Sequence, residues 1–286
     1  MSIGDFHNHS TCSDGKLTPT QLVDLAASRG VRIFALSDHD TLDGQEEAAR
    51  AAARHPGFTL IPGVELSCDV PGTEVHMLGL FVNRHDQALL DQLEQFRRGR
   101  IERAEKMVEA LARLGVPIEW SRVQEIAGEA SVGRPHVAQA LLERGHIQRF
   151  EEAFDRYLGR NGPAYFERQK LTPHDAITMI RAAGGLPIFA HPSFTDGYEE
   201  IATDLAAHGL LGMEVYYKHY EPEQVEALRQ LADRLGLFTS GGSDFHGIER
   251  DNERQPGDIP LPDAVALAML DRARTEGCTV PEPTAS

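Results

Sequence analysis

The chain has 286 residues, 41% hydrophobic and 25% charged, which suits one large soluble α/β domain or such a domain carrying an insert. A formal charge of −16 excludes a protein that grips long nucleic acid along its phosphates. No apolar run approaches the roughly 20 residues of a membrane span, and the opening MSIGDFHNHS has neither the basic region nor the apolar stretch of a secretory leader. With three scattered cysteines (Cys12, Cys68, Cys278) that fit unpaired thiols, a cytoplasmic, monomeric protein is expected.

The predicted elements alternate at first. A strand over 3–6 is followed by a helix over 18–29, opened by the cap-and-first-turn pair Thr18-Pro19. A strand over 32–37 and an alanine-rich helix over 43–54 come next, then strands over 59–67 and 75–82 around the turn signal Val70-Pro71-Gly72-Thr73. From Asp86 the texture turns helical and highly charged, with helices over 87–114, 121–128, 134–144 and 150–158. A run of helices with no strand between them does not continue a βα repeat, so the expected organisation is a barrel over 1–85 and 163–286 interrupted by a helical subdomain over 86–162. After Pro163 a helix starts at Thr172-Pro173, and strands over 186–190, 211–217 and 237–240 alternate with helices over 198–208, 222–235 and 262–276. Residues 281–286 read as a frayed tail.

Thirteen histidines are many for this length, and several stand beside carboxylates at strand ends. The first strand gives Asp5-Phe6-His7-Asn8-His9, with Asp14 in the following loop, and the second ends Ser37-Asp38-His39-Asp40. Glu65 and His76 lie in the third and fourth strands, His191-Pro192 follows the fifth, and Ser243-Asp244-Phe245-His246 follows the last. In a barrel, strand C-termini converge on one face, so these residues would meet in one pocket. His7 and His9, like Asp244 and His246, are two apart, which puts both side chains on one face of an extended strand. Mixed imidazole and carboxylate donors suit Zn²⁺, Mn²⁺ or Fe²⁺, and the lack of paired thiolates disfavours a closed structural zinc site. A lone strand-end histidine is more often ordinary hydrogen-bonded structure; the coincidence of five or six such motifs points to a metal centre.

The set HNH, Asp14, SDHD, Glu65, His76, HP and SDFH resembles the polymerase-and-histidinol-phosphatase (PHP) superfamily, over about residues 3–82 and 165–275. The resemblance implies a distorted (β/α)7 barrel of the PHP type with two or three divalent cations, manganese first and zinc, iron or magnesium as alternatives. It also implies that His7, His9, Glu65 and Asp244 hold one metal. Glu65 would bridge to a second held by His76 and His191, and Asp14, His39 and His246 would hold a third. Asp40 matches an acidic position beside the ligands, where it would orient one of them or hydrogen-bond a water.

Such a cluster suits phosphate-ester cleavage and reverses the local field, which reconciles an acidic chain with an anionic substrate. In Gly133-Arg134-Pro135-His136, Arg134 opens a helix where a phosphate would meet both guanidinium and helix N-terminus, and Arg160 and Lys218-His219 are further expected substrate contacts. Against this, Arg134 could simply cap its own subdomain and Arg160 be a solvated charge. A PHP barrel interrupted after its fourth strand by a helical insert with GRPH is similar to bacterial 3′,5′-nucleoside bisphosphate phosphatases and to a 5′→3′ exoribonuclease acting on short RNA. The implied activity is removal of the 3′-phosphate from adenosine 3′,5′-bisphosphate, with His219 or a water protonating the leaving oxygen. A histidinol-phosphate phosphatase and a non-catalytic metal-binding module are the rival expectations.

Overall fold

In the computed structural model, α1 (Pro19–Ser28) begins at a capping box. Gln21 N–H donates to Thr18 Oγ1 at 3.2 Å, Thr18 N–H donates to Gln21 Oε1 at 2.9 Å, and Pro19 fills a position whose amide would have no helical partner. The structure describes residues 1–70, 73–128, 132–166, 171–248 and 253–285, with Glu74 described by its backbone alone, so Pro71 and Gly72 of the expected turn lie outside the described residues. Two compact units emerge, one of Met1–Leu90 with Leu171–Ser286 and one of Asp91–Lys170.

In the first unit, β1 (Gly4–Asp5), β2 (Ile33–Leu36), β3 (Thr59–Val70), β4 (Thr73–Leu80), β5 (Leu186–Phe189), β6 (Gly212–Tyr217) and β7 (Phe238–Gly242) lie side by side in that order in one sheet. Main-chain bonds Phe6 N–H to Gly241 O (3.1 Å), Asp244 N–H to His7 O (2.8 Å) and His9 N–H to Phe245 O (2.9 Å) bring the two outer strands together into a nearly closed barrel. Pairing is parallel except where β4 runs antiparallel to both neighbours. This reversal matters for His76. It lies in the first half of β4, opposite Ser67, and reaches the mouth because its strand runs backwards rather than because it ends there. No helix separates β3 from β4, so the (β/α)7 rhythm is distorted at this hairpin.

The remaining helices are α2 (Gln45–Ala52), α3 (Gln87–Arg113), α4 (Trp120–Ala127), α5 (Arg134–Glu143), α6 (Glu151–Ala153), α7 (Pro173–Ala182), α8 (Tyr198–Ala207), α9 (Pro222–Leu235) and α10 (Asp263–Thr275). Thr172 caps α7 by accepting from Asp175 N–H at 3.1 Å. β2 is buried at every residue, and Phe34 and Leu36 pack with Leu22, Val23 and Ala26 of α1, Ala48 and Ala51 of α2, and Phe58 and Phe245. The second unit has its own apolar interior, built from Met107 and Leu111 of α3, Val123 of α4, Val137 and Leu141 of α5, and Leu158 in the π-helical turn Phe154–Leu158 that follows α6.

The tail does not fray at Thr284. Its carbonyl accepts from Gly57 N–H at 3.0 Å and its N–H donates to Phe58 O at 3.0 Å, so strand-like bonds to the loop before β3 hold it. Such a contact is tertiary, and a polar terminal segment carries no local sign of it. Among the described residues no helix is long and apolar enough to cross a membrane.

Candidate metal centre

Backbone geometry delivers the donors. His7 and His9 leave the end of β1 against β7, where Gly242 leaves room for His7; a Cβ there would overlap the His7 backbone and side chain. Of the five non-glycine residues with positive φ among the described residues, three stand here: Asp40 (51°), His191 (29°) and Asp244 (47°). Non-glycine residues avoid this conformation, so three together mark a place where the surrounding structure imposes strain.

Glu65 is the hub. Its Oε2 lies 3.1 Å from His7 Nε2, 3.1 Å from His9 Nε2 and 3.1 Å from His39 Nδ1. Its Oε1 lies 2.8 Å from His76 Nδ1 and 3.2 Å from His191 Nε2. Asp244 Oδ1 stands 3.3 Å from His7 Nε2 and 3.0 Å from His9 Nε2. Asp14 is 3.3 Å from His246 Nε2, 3.8 Å from His9 Nδ1 and 3.9 Å from His39 Nε2. All nine expected donors are therefore gathered. Eight of them overlap as His7, His9, Glu65 and Asp244; as His9, Asp14, His39 and His246; and as His39, Glu65 and His76, with His9, His39 and Glu65 shared between sets, while His191 joins through Glu65.

The arrangement fits cations better than protons. One carboxylate oxygen has two lone pairs, yet three imidazole nitrogens crowd Glu65 Oε2 at 3.1 Å. Around a tetrahedral cation with bonds of about 2.0–2.1 Å, neighbouring donors would sit roughly 3.3 Å apart. His7 Nε2, both ring nitrogens of His9, Asp14 Oδ1, His39 Nδ1 and His191 Nδ1 are buried without a hydrogen bond of acceptable direction among the described residues. Imidazole and carboxylate donors clustered within 4.8 Å of one another, several of them buried without a hydrogen bond, are what a ligand set looks like from the protein side.

The charge balance says the same. Burial opposes charge on His9, but the Asp244 and Glu65 carboxylates outweigh it and push the imidazole up to about 10. His7 is also buried and is also driven well above its usual value, by Glu65, Glu214 and Asp244. Against burial, the surrounding imidazoles hold Glu65, Asp14 and Asp244 well below the ordinary carboxylate range. For His39, burial prevails and lowers the ring to about 4. The pocket strongly prefers positive charge at its centre.

Around the donors stand several further groups. Asp40 is buried, accepts Ser67 N–H on Oδ1 at 3.2 Å, and donates its own N–H to Glu65 O at 2.9 Å, so it ties β3 to the loop after β2. Lys218 Nζ donates to Asp244 O at 2.7 Å and lies 3.2 Å from Asp244 Oδ2. His219 is exposed and shares a cavity of about 250 Å³ with Asp14, Lys218 and His246. Arg134 and Arg160 belong to the second unit: Arg134 is the first residue of α5, its guanidinium 6.0 Å from the centre of the Phe154 ring, and Arg160 is exposed after the π turn.

Sequence reasoning missed Glu214. Fully buried in β6, it faces His7 Nδ1 at 3.2 Å and accepts His191 N–H at 2.8 Å. The available signal was a lone carboxylate inside the otherwise apolar strand GMEVYY, where an unpaired charge would be expensive. Two more buried carboxylates organise the loops. Asp38 accepts Ser10 N–H, Ser10 Oγ–H and Ser13 Oγ–H at 2.7, 2.7 and 2.6 Å. Asp5, pushed up to about 6 by burial against its hydrogen bonds, accepts Ser243 N–H at 3.0 Å and Gly257 N–H at 2.8 Å. Tyr217 O–H donates to Asp244 Oδ2 at 2.5 Å and so fixes that carboxylate from its other side.

The PHP domain matches residues 5–170 of the chain. The chain belongs to the PHP domain family. A 3′,5′-nucleoside bisphosphate phosphatase of Chromobacterium violaceum is 36% identical over 256 residues, which is 86% of this PHP chain and 88% of the relative. A 5′-3′ exoribonuclease of Haemophilus influenzae is 35% identical over 246 residues, 85% of this chain and 89% of that protein. Among solved structures, a Bifidobacterium adolescentis protein assigned as a metal-dependent phosphoesterase superposes with a TM-score of 0.81 at 30% identity, covering 94% of this chain and 96% of its own. Membership makes this PHP chain a phosphoesterase, and its His, Asp and Glu donors suit divalent cations.

Proposed function

We propose that the chain is a metal-dependent phosphatase that removes the 3′-phosphate of nucleoside 3′,5′-bisphosphates, such as adenosine 3′,5′-bisphosphate, and leaves the 5′-monophosphate. The observation that carries this reading is the convergence of six imidazoles on Glu65 and Asp244, with Asp14 beside three of them, in a pocket that prefers positive charge. The substrate class draws support from the 36% identical bisphosphate phosphatase, matched over most of both chains.

In this proposal His7, His9, Glu65 and Asp244 hold one cation, Glu65 with His76 and His191 a second, and Asp14, His39 and His246 a third. Bound divalent cations supply the charge that offsets a phosphoryl group and acidifies a water for attack on it. The protein's part is to fix the ligands and manage protons. Glu214 and Tyr217 hold His7 and Asp244 in place, and Asp40 keeps the Glu65 strand in register. Lys218 provides a cation beside Asp244, and His219, exposed beside Asp14 and His246, donates the proton that the leaving 3′-oxygen needs. Arg134 and Arg160 are proposed to hold the 5′-phosphate, a task for which a guanidinium fork is well shaped. Manganese is the cation proposed first. A cytoplasmic monomer is proposed as well; Cys12, Cys68 and Cys278 are free thiols, as a reducing compartment would keep them.

The test is hydrolysis of a phosphorylated-metabolite panel with added Mn²⁺, Zn²⁺, Fe²⁺ or Mg²⁺. Fast release of phosphate from the bisphosphate, with AMP as the other product, is expected; inertness on every nucleoside bisphosphate would refute the reading. Arg134→Ala should raise KM for the bisphosphate far more than for a simple monoester. The 35% identical exoribonuclease favours a second reading, release of nucleotides from 5′-phosphorylated short RNA. Activity on oligonucleotides with none on mononucleotide bisphosphates would select it.

A further inference from the structure

Next to the metal ligands, one large aromatic side chain is left open to solvent. Phe194 is 62% exposed, although burying a phenylalanine is worth about 1.5–3 kcal/mol. Scattered exposed apolar residues are ordinary on a protein surface, so exposure alone means little. Its setting is what distinguishes Phe194. The ring stands 6.0 Å from the His191 imidazole, 5.6 Å from the Tyr217 ring and 6.1 Å from the Tyr220 ring, centre to centre. Tyr217 and Tyr220 are themselves buried, and Tyr217 donates to the ligand Asp244. Phe194 is thus the solvent-facing end of an aromatic row that starts at the donor cluster.

The row is also rigid. Phe194 ends the short 3-10 turn Pro192–Phe194, which leaves His191 at φ 29°. Phe194 N–H donates to His191 O at 3.1 Å, Thr195 N–H donates to Pro192 O at 2.9 Å, and Ser193 N–H donates to Tyr220 Oη at 3.1 Å. Proline and three amide bonds fix the backbone that carries the ring, and two buried tyrosines lie beside it. A side chain on a flexible loop would have to have its backbone ordered on binding; here the backbone is already held.

We infer that Phe194 is a base-binding platform: the aromatic base of a nucleotide stacks on its open face while the adjoining phosphate lies at the metal centre. This rests on the nucleotide reading above and adds to it the residue that recognises the base. Every base has a π-face, so the platform favours nucleotides over other phosphate esters without choosing between purine and pyrimidine. Stacking on an aromatic side chain is worth about 1–3 kcal/mol per base, which corresponds to roughly 5- to 150-fold in affinity.

The test compares the whole protein with Phe194→Ala and Phe194→Trp, using calorimetric binding of AMP and of ribose 5-phosphate, its base-free counterpart. Phe194→Ala should weaken AMP at least fivefold and leave ribose 5-phosphate unchanged, and Phe194→Trp should retain AMP. Turnover should follow, with KM for the nucleoside bisphosphate raised by Phe194→Ala and kcat little changed. Since the side chain is mostly exposed, thermal unfolding of the variants should match the parent, which checks that they fold. Equal loss for both ligands, no loss for either, or AMP binding no better than ribose 5-phosphate in the parent would overturn the platform. Failure of the parent to hydrolyse any nucleoside bisphosphate would instead refute the proposed reaction, and the binding comparison would still decide the role of Phe194.

Discussion

Among the described residues of the first unit, groups of three or more histidines and carboxylates form at two places, and the two behave differently. At the barrel mouth His7 and His9 have fully buried side chains and Glu65 is 1% exposed. On the outside, His174 of α7 meets Asp204 of α8 and His208 just beyond it, with a donor from each within 4.8 Å of the others. There the side chains are 42%, 54% and 54% exposed. His174 Nε2 sits 2.8 Å from Asp204 Oδ2 without a hydrogen bond of acceptable direction, and His208 Nδ1–H donates to the Asp204 carbonyl at 2.7 Å, but all three side chains remain about half in solvent. An exposed pair of this kind costs little to build and contributes little. The buried set is costly to assemble, because most of its charges lose their water, and five of its imidazole nitrogens and Asp14 Oδ1 remain without properly directed hydrogen bonds. Desolvated donors aimed at a common space, rather than donor residues near each other, are what separates a site from a coincidence.

The largest effect should come from the hub. Glu65→Ala removes the carboxylate that five imidazoles face, and phosphate release should fall by about 10³-fold or more, the scale of deleting a key charge-stabilising group at a reacting centre. Bound metal, measured by elemental analysis, should fall with it. A variant that keeps both would show the buried set to be structural after all. Next comes chelation, which should abolish activity reversibly. Cations at about 100 times their Kd should add about 2.7 kcal/mol to stability. The cation-free protein should also show a pH signature. The folded-state value for His9 rises from 6.5 to about 10, because Asp244 and Glu65 outweigh burial. The stability this proton contributes is complete below 6.5 and is lost as pH climbs through about 10. Thermal unfolding without cations should weaken across that window, and cations should flatten the decline by taking the proton's place.

A smaller loss is expected for Glu214→Gln. Glu214 touches His7 and the His191 amide, so it positions two of the proposed ligands without being one of the nine, and such partners typically account for about 10–100-fold in metal affinity. Metal titration should show this decrease, and the near-isosteric amide should recover more than Glu214→Ala does. Loss of fold in both variants, seen as a collapsed unfolding transition, would mean that Glu214 supports the barrel rather than the ligands.

Glu214 also marks where the sequence stops being readable. The donors at strand ends are legible because strand C-termini in a barrel share a face, and the i,i+2 spacing of His7 with His9 gives their common direction without any knowledge of neighbours. Glu214 sits in the middle of β6, and its meaning depends on which strands flank it. The direction of β4 is similarly hidden: His76 has the same local pattern in a parallel or an antiparallel strand, and only the hairpin pairing with β3 decides which end it reaches. The tail at Thr284 and the π turn after α6 are set by tertiary contacts that leave no periodic trace.

The smallest effect should be at the outer cluster, and it is the sharpest control. Asp204→Ala removes the carboxylate shared by His174 and His208 on an open surface, where pairwise interactions amount to about 0–1 kcal/mol. Phosphate release and its cation dependence should stay within about twofold of the parent, and the unfolding midpoint should move by no more than a few degrees, as about 1 kcal/mol implies for a chain of this size. If Asp204→Ala instead cost as much as Glu65→Ala, burial would not be the property that distinguishes the two clusters, and the outer histidines would have to be coupled to the chemistry. If it cost nothing while Glu65→Ala silenced the protein, the same residue types would have been shown to matter only where the fold withdraws their water.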